Sequence, residues 1–267
     1  MSKFENDASY KYYQLTEDAY LHLCENNSGF MNLGLWPADS VQLAQRVLVE
    51  NTLGIMKQSL SRTAELVVEA GSGWGAARPI VADIFPQAQY VGINCSERQI
   101  AYSRDKYACY QNTKYHHAFL ENISDIILPP LHSALFAVEA ALHVESKQRW
   151  IRDLRSLGFK SVVLAEICVE SPSQVLAHPL FDPGLRFTWS VGRYVDEFSV
   201  AGATAVNVHE ITDQVYGGWS RFLEMVDVKT FRGNKRVLRQ FKESYSALAR
   251  HAEAGDVKYA IIEGRFE

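Results

Sequence analysis

The 267-residue chain carries 27 Lys and Arg against 31 Asp and Glu, a formal net charge of −4. It therefore lacks the basic excess that a nucleic-acid or anionic-membrane partner requires. With 47% hydrophobic and 22% charged residues, its composition is that of a soluble globular protein with room for one large α/β domain and an attached cap, or for two unequal lobes.

The N-terminal Met1-Ser2-Lys3-Phe4-Glu5-Asn6-Asp7 has no apolar core of a signal peptide. No apolar run is long enough to span a bilayer, so a cytoplasmic protein is expected. Helical spacing is expected over 18–24, followed by a turn at Asn26-Asn27-Ser28-Gly29. The apolar stretch Phe30 to Pro37 either packs beneath the N-terminal helices or closes a ligand pocket, since leaving it exposed is unfavourable. A helix over 40–57 is expected next, with Ser40 as N-cap and Val41, Ala44, Val47 and Leu48 on one face.

The run Leu66-Val67-Val68-Glu69-Ala70-Gly71-Ser72-Gly73-Trp74-Gly75 reads as a buried strand, a carboxylate and a glycine-rich turn. A helix over 76–85 then presents its free N–H groups to whatever lies above the strand. Glycines in such a turn allow positive φ and close approach of another molecule. The spacing Gly71-x-Gly73-x-x-Ala76 loosely fits a dinucleotide fingerprint. That reading expects an acid at the end of the next strand, where Asn94 stands. Glu69, two residues before the first glycine, suits a cationic ligand better than a phosphate.

Further strands are expected over 89–93, 114–118, 134–138 and 161–167 with helices between them, the alternation of a parallel sheet. The helix over 145–157 is amphipathic, with Trp150, Ile151 and Leu154 on one side. Residues 171–198 are rich in Pro and aromatics without a sustained period, which suits either a cap over a substrate or a structural excursion. A helix over 195–201, a strand over 205–210, helices over 220–226 and 235–252, and a last strand over 257–266 complete the chain. The basic patch Asn234 to Arg239 is expected on a solvated helix face. Cys24, Cys95, Cys109 and Cys168 lack paired metal spacing and read as reduced thiols, with Cys95 beside a ligand pocket through its neighbour Asn94.

Several segments, in order, resemble the class I S-adenosylmethionine-dependent methyltransferases. Glu69-x-Gly71-x-Gly73-x-Gly75 is similar to their motif I. Gly92-Ile93-Asn94-Cys95-Ser96-Glu97-Arg98-Gln99 and Val138-Glu139-Ala140-Ala141-Leu142-His143-Val144 resemble the subgroup of cyclopropane-fatty-acid synthases, sterol methyltransferases and natural-product methyltransferases. Tyr12-Tyr13-Gln14-Leu15-Thr16 and Asn32-Leu33-Gly34-Leu35-Trp36 resemble that subgroup's entry segments.

The resemblance implies a Rossmann-like α/β fold: a mostly parallel seven-stranded sheet with helices on both faces, an N-terminal helical segment and an inserted cap. The expected division is a helical lid over 1–60, a cofactor-binding core over 61–170, the cap over 171–203, and completion of the sheet over 204–267. S-adenosyl-L-methionine is the implied cofactor. Its contacts are expected from Tyr13, Glu69, Gly71, Gly73 and Gly75, with Asn94 and Gln99 at the ribose and Phe119 near the base. Gln99 also reads as a plain helix-surface residue behind an N-capping Ser96.

His143 is the expected general base, with Glu139 beside it at the end of the fourth strand. Trp36, His143, Tyr194 and Trp219 are expected around the acceptor, Trp219 reading equally well as core. The expected activity is methyl transfer to a hydroxyl, an amine or a carbon of a small, partly apolar metabolite, with no metal and with a homodimer left open. Three rivals stand: a nicotinamide oxidoreductase, a non-methylating cyclase on the same fold, and a cyclopropane-type lipid enzyme.

Overall fold

The computed structural model describes residues 29–60, 63–127, 132–175, 187–225 and 234–267. The helix expected over 18–24 lies outside the described residues. Helix α1 (Val41–Ser59) begins where Ser40 accepts a hydrogen bond from Leu43 N, satisfying one of the donors a helix start leaves open. The chain then alternates β1 (Leu66–Ala70), α2 (Arg78–Ile84), β2 (Gln89–Asn94), α3 (Glu97–Lys106) and β3 (Thr113–His117). There follow β4 (Ser133–Val138), α4 (Lys147–Leu157), β5 (Ser161–Val169), α5 (Val191–Val200), β6 (Ala205–Glu210), α6 (Thr212–Met225), α7 (Lys235–Glu253) and β7 (Val257–Arg265).

The strands form one seven-stranded sheet in the order β3-β2-β1-β4-β5-β7-β6. Neighbours from β3 to β5 pair in parallel, while β7 runs antiparallel between β5 and β6. Because successive strand residues point to opposite faces, β1 divides its side chains between two cores. Val67 joins Tyr90, Phe136 and Val163 under α1. Leu66, Val68 and Ala70 join Leu135, Trp150 and Leu154 under α4 and α5. Both faces are covered, as a parallel sheet requires.

Several element boundaries differ from the sequence expectation, three of them for an identifiable reason. Helix α2 starts at Arg78 and not at residue 76, because the glycine turn runs on to Ala77 and Pro79 occupies the first helical turn. Helix α5 starts at Val191, with Ser190 accepting from Arg193 N as its cap. Helix α6 starts at Thr212, well before the expected 220, and runs through Gly217 and Gly218, residues of low helix propensity. The tertiary reason is Trp36, whose side chain lies where a Cβ on Gly218 would sit, 1.9 Å from its ring.

Among the described residues no helix is long and apolar enough to cross a membrane. Asn234, Lys235, Arg236 and Arg239 lie exposed at the start of α7, where Asn234 is the N-cap.

Two glycine substitutions should separate packing from propensity. A Cβ on Gly264 of β7 would lie 2.3 Å from the buried Phe198 ring. Gly264→Ala is therefore expected to lower urea-unfolding stability by about 1–3 kcal/mol. Gly192 in α5 has nothing within 4 Å of its Cβ position. Gly192→Ala should leave stability unchanged or raise it by up to about 1 kcal/mol.

Candidate functional site

A cleft of about 960 Å³, counting its solvent-open part, lies above the carboxyl ends of β1, β2 and β4. This is the point where the strand order reverses, the usual ligand crevice of open α/β sheets. Its floor is the turn after β1. Gly71, Gly73 and Gly75 all have positive φ, at +80°, +49° and +76°, the region that favours glycine.

The three glycines differ in what surrounds them. A Cβ on Gly71 would sit 2.2 Å from that of Ala140, so this glycine permits contact between two turns. A Cβ on Gly73 would meet nothing, and its backbone lies bare to the cleft. Gly75 is turned away from the cleft and packs against Tyr115, Ser103 and Tyr107, so it is a packing hinge and not a lining residue. Between them, the buried Ser72 lines the cleft, and among the described residues its Oγ has no hydrogen-bond partner.

Glu69 sits below this turn, lines the cleft and is 8% exposed. Its Oε2 accepts a hydrogen bond from Tyr90 Oη. Burial pushes its carboxyl up to about 8, and the Tyr90 hydrogen bond opposes the rise. On the β2 side, Asn94 and Gln99 both line the cleft, and Asn94 Nδ2 donates to Gln99 Oε1 at 2.6 Å. Ser96 caps the backbone N–H of Gln99 as expected, but Gln99 is not a surface residue: its side chain is buried and lines the cleft. Phe119 and Cys95 also line it.

The opposite wall is the turn after β4, carrying Glu139 and His143. Glu139 has φ +52°, a left-handed conformation that is strained for a non-glycine residue. The strain is held by specific bonds: Glu139 Oε1 accepts from Leu33 N at 2.7 Å and from Tyr259 Oη at 2.9 Å. Burial pushes its carboxyl up to about 7. His143 is pushed down to about 3, first by burial and then by the charge of Lys147, so it is a neutral imidazole near neutral pH.

Behind this turn, Glu166 of β5 is fully buried and accepts from the backbone N–H groups of Ala140, Ala141 and Leu142. The equally buried Lys147 donates to the carbonyls of Leu142, Val144 and Phe187. Burial raises the carboxyl and lowers the ammonium, while the attraction between them opposes both shifts. Residue types at 166 and 147 carry no motif, so sequence reasoning missed this brace.

The N-terminal loop does both things expected of it. Leu33 is buried in the core beneath α1, while Phe30, Met31 and Asn32 line the cleft. Met31 Sδ accepts from Gln99 Nε2 at 3.5 Å. Two acceptor-side expectations fall elsewhere. Trp36 donates its indole N–H to Leu33 O and packs on Gly218, outside the cleft lining. Tyr194 is completely buried in the second core, its ring 5.2 Å from Trp189, because α5 packs on the sheet and does not arch over the cleft. Tyr13 and the side chain of Trp219 lie outside the described residues.

No protein-family model matches the chain, and no curated protein matches it in sequence. Solved structures do match. A cyclopropane synthase of Mycobacterium tuberculosis superposes with a TM-score of 0.79 at 12% identity, over 99% of each chain. A mycolic acid cyclopropane synthase complexed with SAH and CTAB gives 0.77 at 15% identity, again over 99% of each. The chain has the fold of these enzymes. The [4+2]-cyclase SpnF matches with a TM-score of 0.72 at 15% identity, covering 96% of this chain and 93% of its own. Among the described residues no group of three His, Cys, Asp or Glu could hold a metal ion.

Glu139 should leave a pH signature on stability. Its native carboxyl lies near 7 against an ordinary 4.5, so the stability it confers is full below about pH 4.5 and is lost as pH rises through 7. Relative to Glu139→Gln, wild type should lose up to about 3 kcal/mol of unfolding free energy between pH 4.5 and 8. Urea midpoints at pH 5 and pH 8 measure this; a difference that stays flat would mean the native carboxyl is ionised throughout.

Proposed function

We propose that this chain is an S-adenosylmethionine-dependent methyltransferase acting on a hydroxyl, an amine or a carbon of a small, partly apolar metabolite in secondary metabolism. The observation that carries the reading is Glu69, a buried carboxylate beneath a glycine turn, with the bare backbone of Gly73 above it. A buried carboxyl gains from pairing with a cation, which favours its ionised form, and it offers a pyrophosphate no positive partner. Ser72 Oγ, without a hydrogen-bond partner among the described residues, fits a polar ligand in the same place. The likeness to solved cyclopropane synthases, one complexed with SAH, agrees with that fit.

In this reading Glu69 meets the cofactor's ammonium, and the Gly71–Gly73 backbone lies along its amino-acid part. Asn94 and Gln99 would exchange their mutual hydrogen bond for the ribose hydroxyls, since each amide offers both donors and acceptors. Phe119 would lie against the base. When bound, S-adenosylmethionine supplies a methyl carbon made electrophilic by its sulfonium. The chain's own part is then to align an acceptor and to exclude water, which can supply up to about 7–11 kcal/mol in well-aligned systems.

Phe30, Met31 and Val49 form an apolar wall for the acceptor. The proton of a hydroxyl or amine acceptor is better taken by Glu139, near 7, than by His143, near 3. His143 would orient the acceptor as a neutral hydrogen-bond partner. This divides the catalytic roles differently from the sequence reading, which made His143 the base. A second reading, a cyclase that uses the cofactor pocket only as scaffold, is favoured by the match to SpnF.

Calorimetry with S-adenosylmethionine tests the proposal. Wild type should bind, and Gly73→Arg should not, because its side chain would fill the open cleft. Failure of wild type to bind would overturn the reading. With a panel of small hydroxyl and amine acceptors, Glu139→Gln should slow S-adenosylhomocysteine formation by about 10²–10⁴-fold. His143→Ala should slow it while leaving cofactor affinity within a few-fold of wild type. Product that forms equally well after the cofactor is stripped would favour the cyclase.

A further inference from the structure

Beneath Glu69, the sheet carries tyrosines where a parallel core ordinarily carries aliphatic side chains. Tyr90 of β2 is fully buried and stands in register with Val67, on the same face as Glu69. Tyr115 of β3 meets its ring edge-on, with centroids 5.7 Å apart. Tyr107, just after α3, packs against the same turn at Gly75. Arg78 of α2 lies over the Tyr90 ring at 5.4 Å. Its guanidinium donates to Thr113 Oγ1 and Asn112 Oδ1, so its charge is already committed at the start of β3. Among the described residues no Lys, Arg or His forms a salt bridge with Glu69.

A buried phenol needs an acceptor, and Tyr90 Oη takes one oxygen of Glu69. We propose that Tyr90 is a positioning residue for the cofactor's amino-acid end, its hydroxyl holding Glu69 from below so that the rest of the carboxylate faces the incoming ammonium. This inference rests on the methyltransferase reading above. It adds a proton to the binding step. Burial holds the free carboxyl near 8, so below that pH Glu69 gives up its proton to solvent as the carboxylate pairs with the ammonium. Removing the Tyr90 hydroxyl takes away a contact that opposes the upward shift, moving ionisation to higher pH.

The experiment is calorimetry on wild type and Tyr90→Phe between pH 6 and 8 with two ligands. S-adenosylhomocysteine carries the ammonium, and methylthioadenosine lacks the whole amino-acid part. Wild-type affinity for S-adenosylhomocysteine should rise with pH, by up to about tenfold per unit. Tyr90→Phe should bind it about tenfold more weakly at pH 7, with the rise displaced upward. Methylthioadenosine should bind both proteins alike at every pH, which also reports an intact fold. Identical S-adenosylhomocysteine profiles in the two proteins would overturn the proposal. So would an equal loss of both ligands, which would make the hydroxyl structural. If wild type bound neither nucleoside, the underlying methyltransferase reading would fall with it.

Discussion

Three glutamates close the ends of three central strands: Glu69 on β1, Glu139 just after β4 and Glu166 on β5. Glu69 and Glu166 are buried and Glu139 is half-buried, and a carboxylate shielded from water must find donors or surrender its charge. Each finds its donors in a different part of the chain. Glu69 takes the hydroxyl of Tyr90. Glu139 takes Leu33 N and Tyr259 Oη. Glu166 takes three backbone N–H groups of the turn after β4. The geometry of the cleft follows from satisfying these groups.

The turn after β4 shows the consequence most clearly. Glu139 adopts a left-handed backbone that a non-glycine residue avoids, and only surroundings that over-determine it can maintain such a conformation. Glu166 fixes the amide side of the turn, and Lys147 fixes its carbonyl side. Glu139 in turn holds the loop carrying Leu33, and that loop is strapped to α1 by Gln45 Nε2 donating to Asn32 O. One wall of the cleft thus depends on residues more than a hundred positions apart. It is braced by hydrogen bonds around Glu139 and apolar along Phe30, Met31 and Val49.

The strands of the parallel sheet were legible in the sequence to within a residue or two, because β-branched runs between turns have few other stable arrangements. So was the acid–glycine turn, since its spacing reflects a local backbone requirement. Glu69, Gly71, Gly73, Asn94, Gln99, Phe119, Glu139 and His143 do gather at one cleft. Trp36 and Tyr194 do not, because an aromatic in a loop or an irregular stretch packs equally well in a pocket or a core. Helix α6 begins well before the expected 220 and passes through Gly217-Gly218, where the demand for a small residue comes from Trp36, nearly two hundred positions away.

What the sequence by itself determined is whatever depends on near neighbours: the alternation of strands and helices, the N-caps at Ser40 and Ser96, and the acid–glycine turn after β1. Only the tertiary structure decided which buried charge meets which donor. Tyr90 under Glu69, Tyr259 on Glu139 and the Glu166–Lys147 brace all join separate elements. Their distances are set by sheet order and register, and neither is written in any local run of residues.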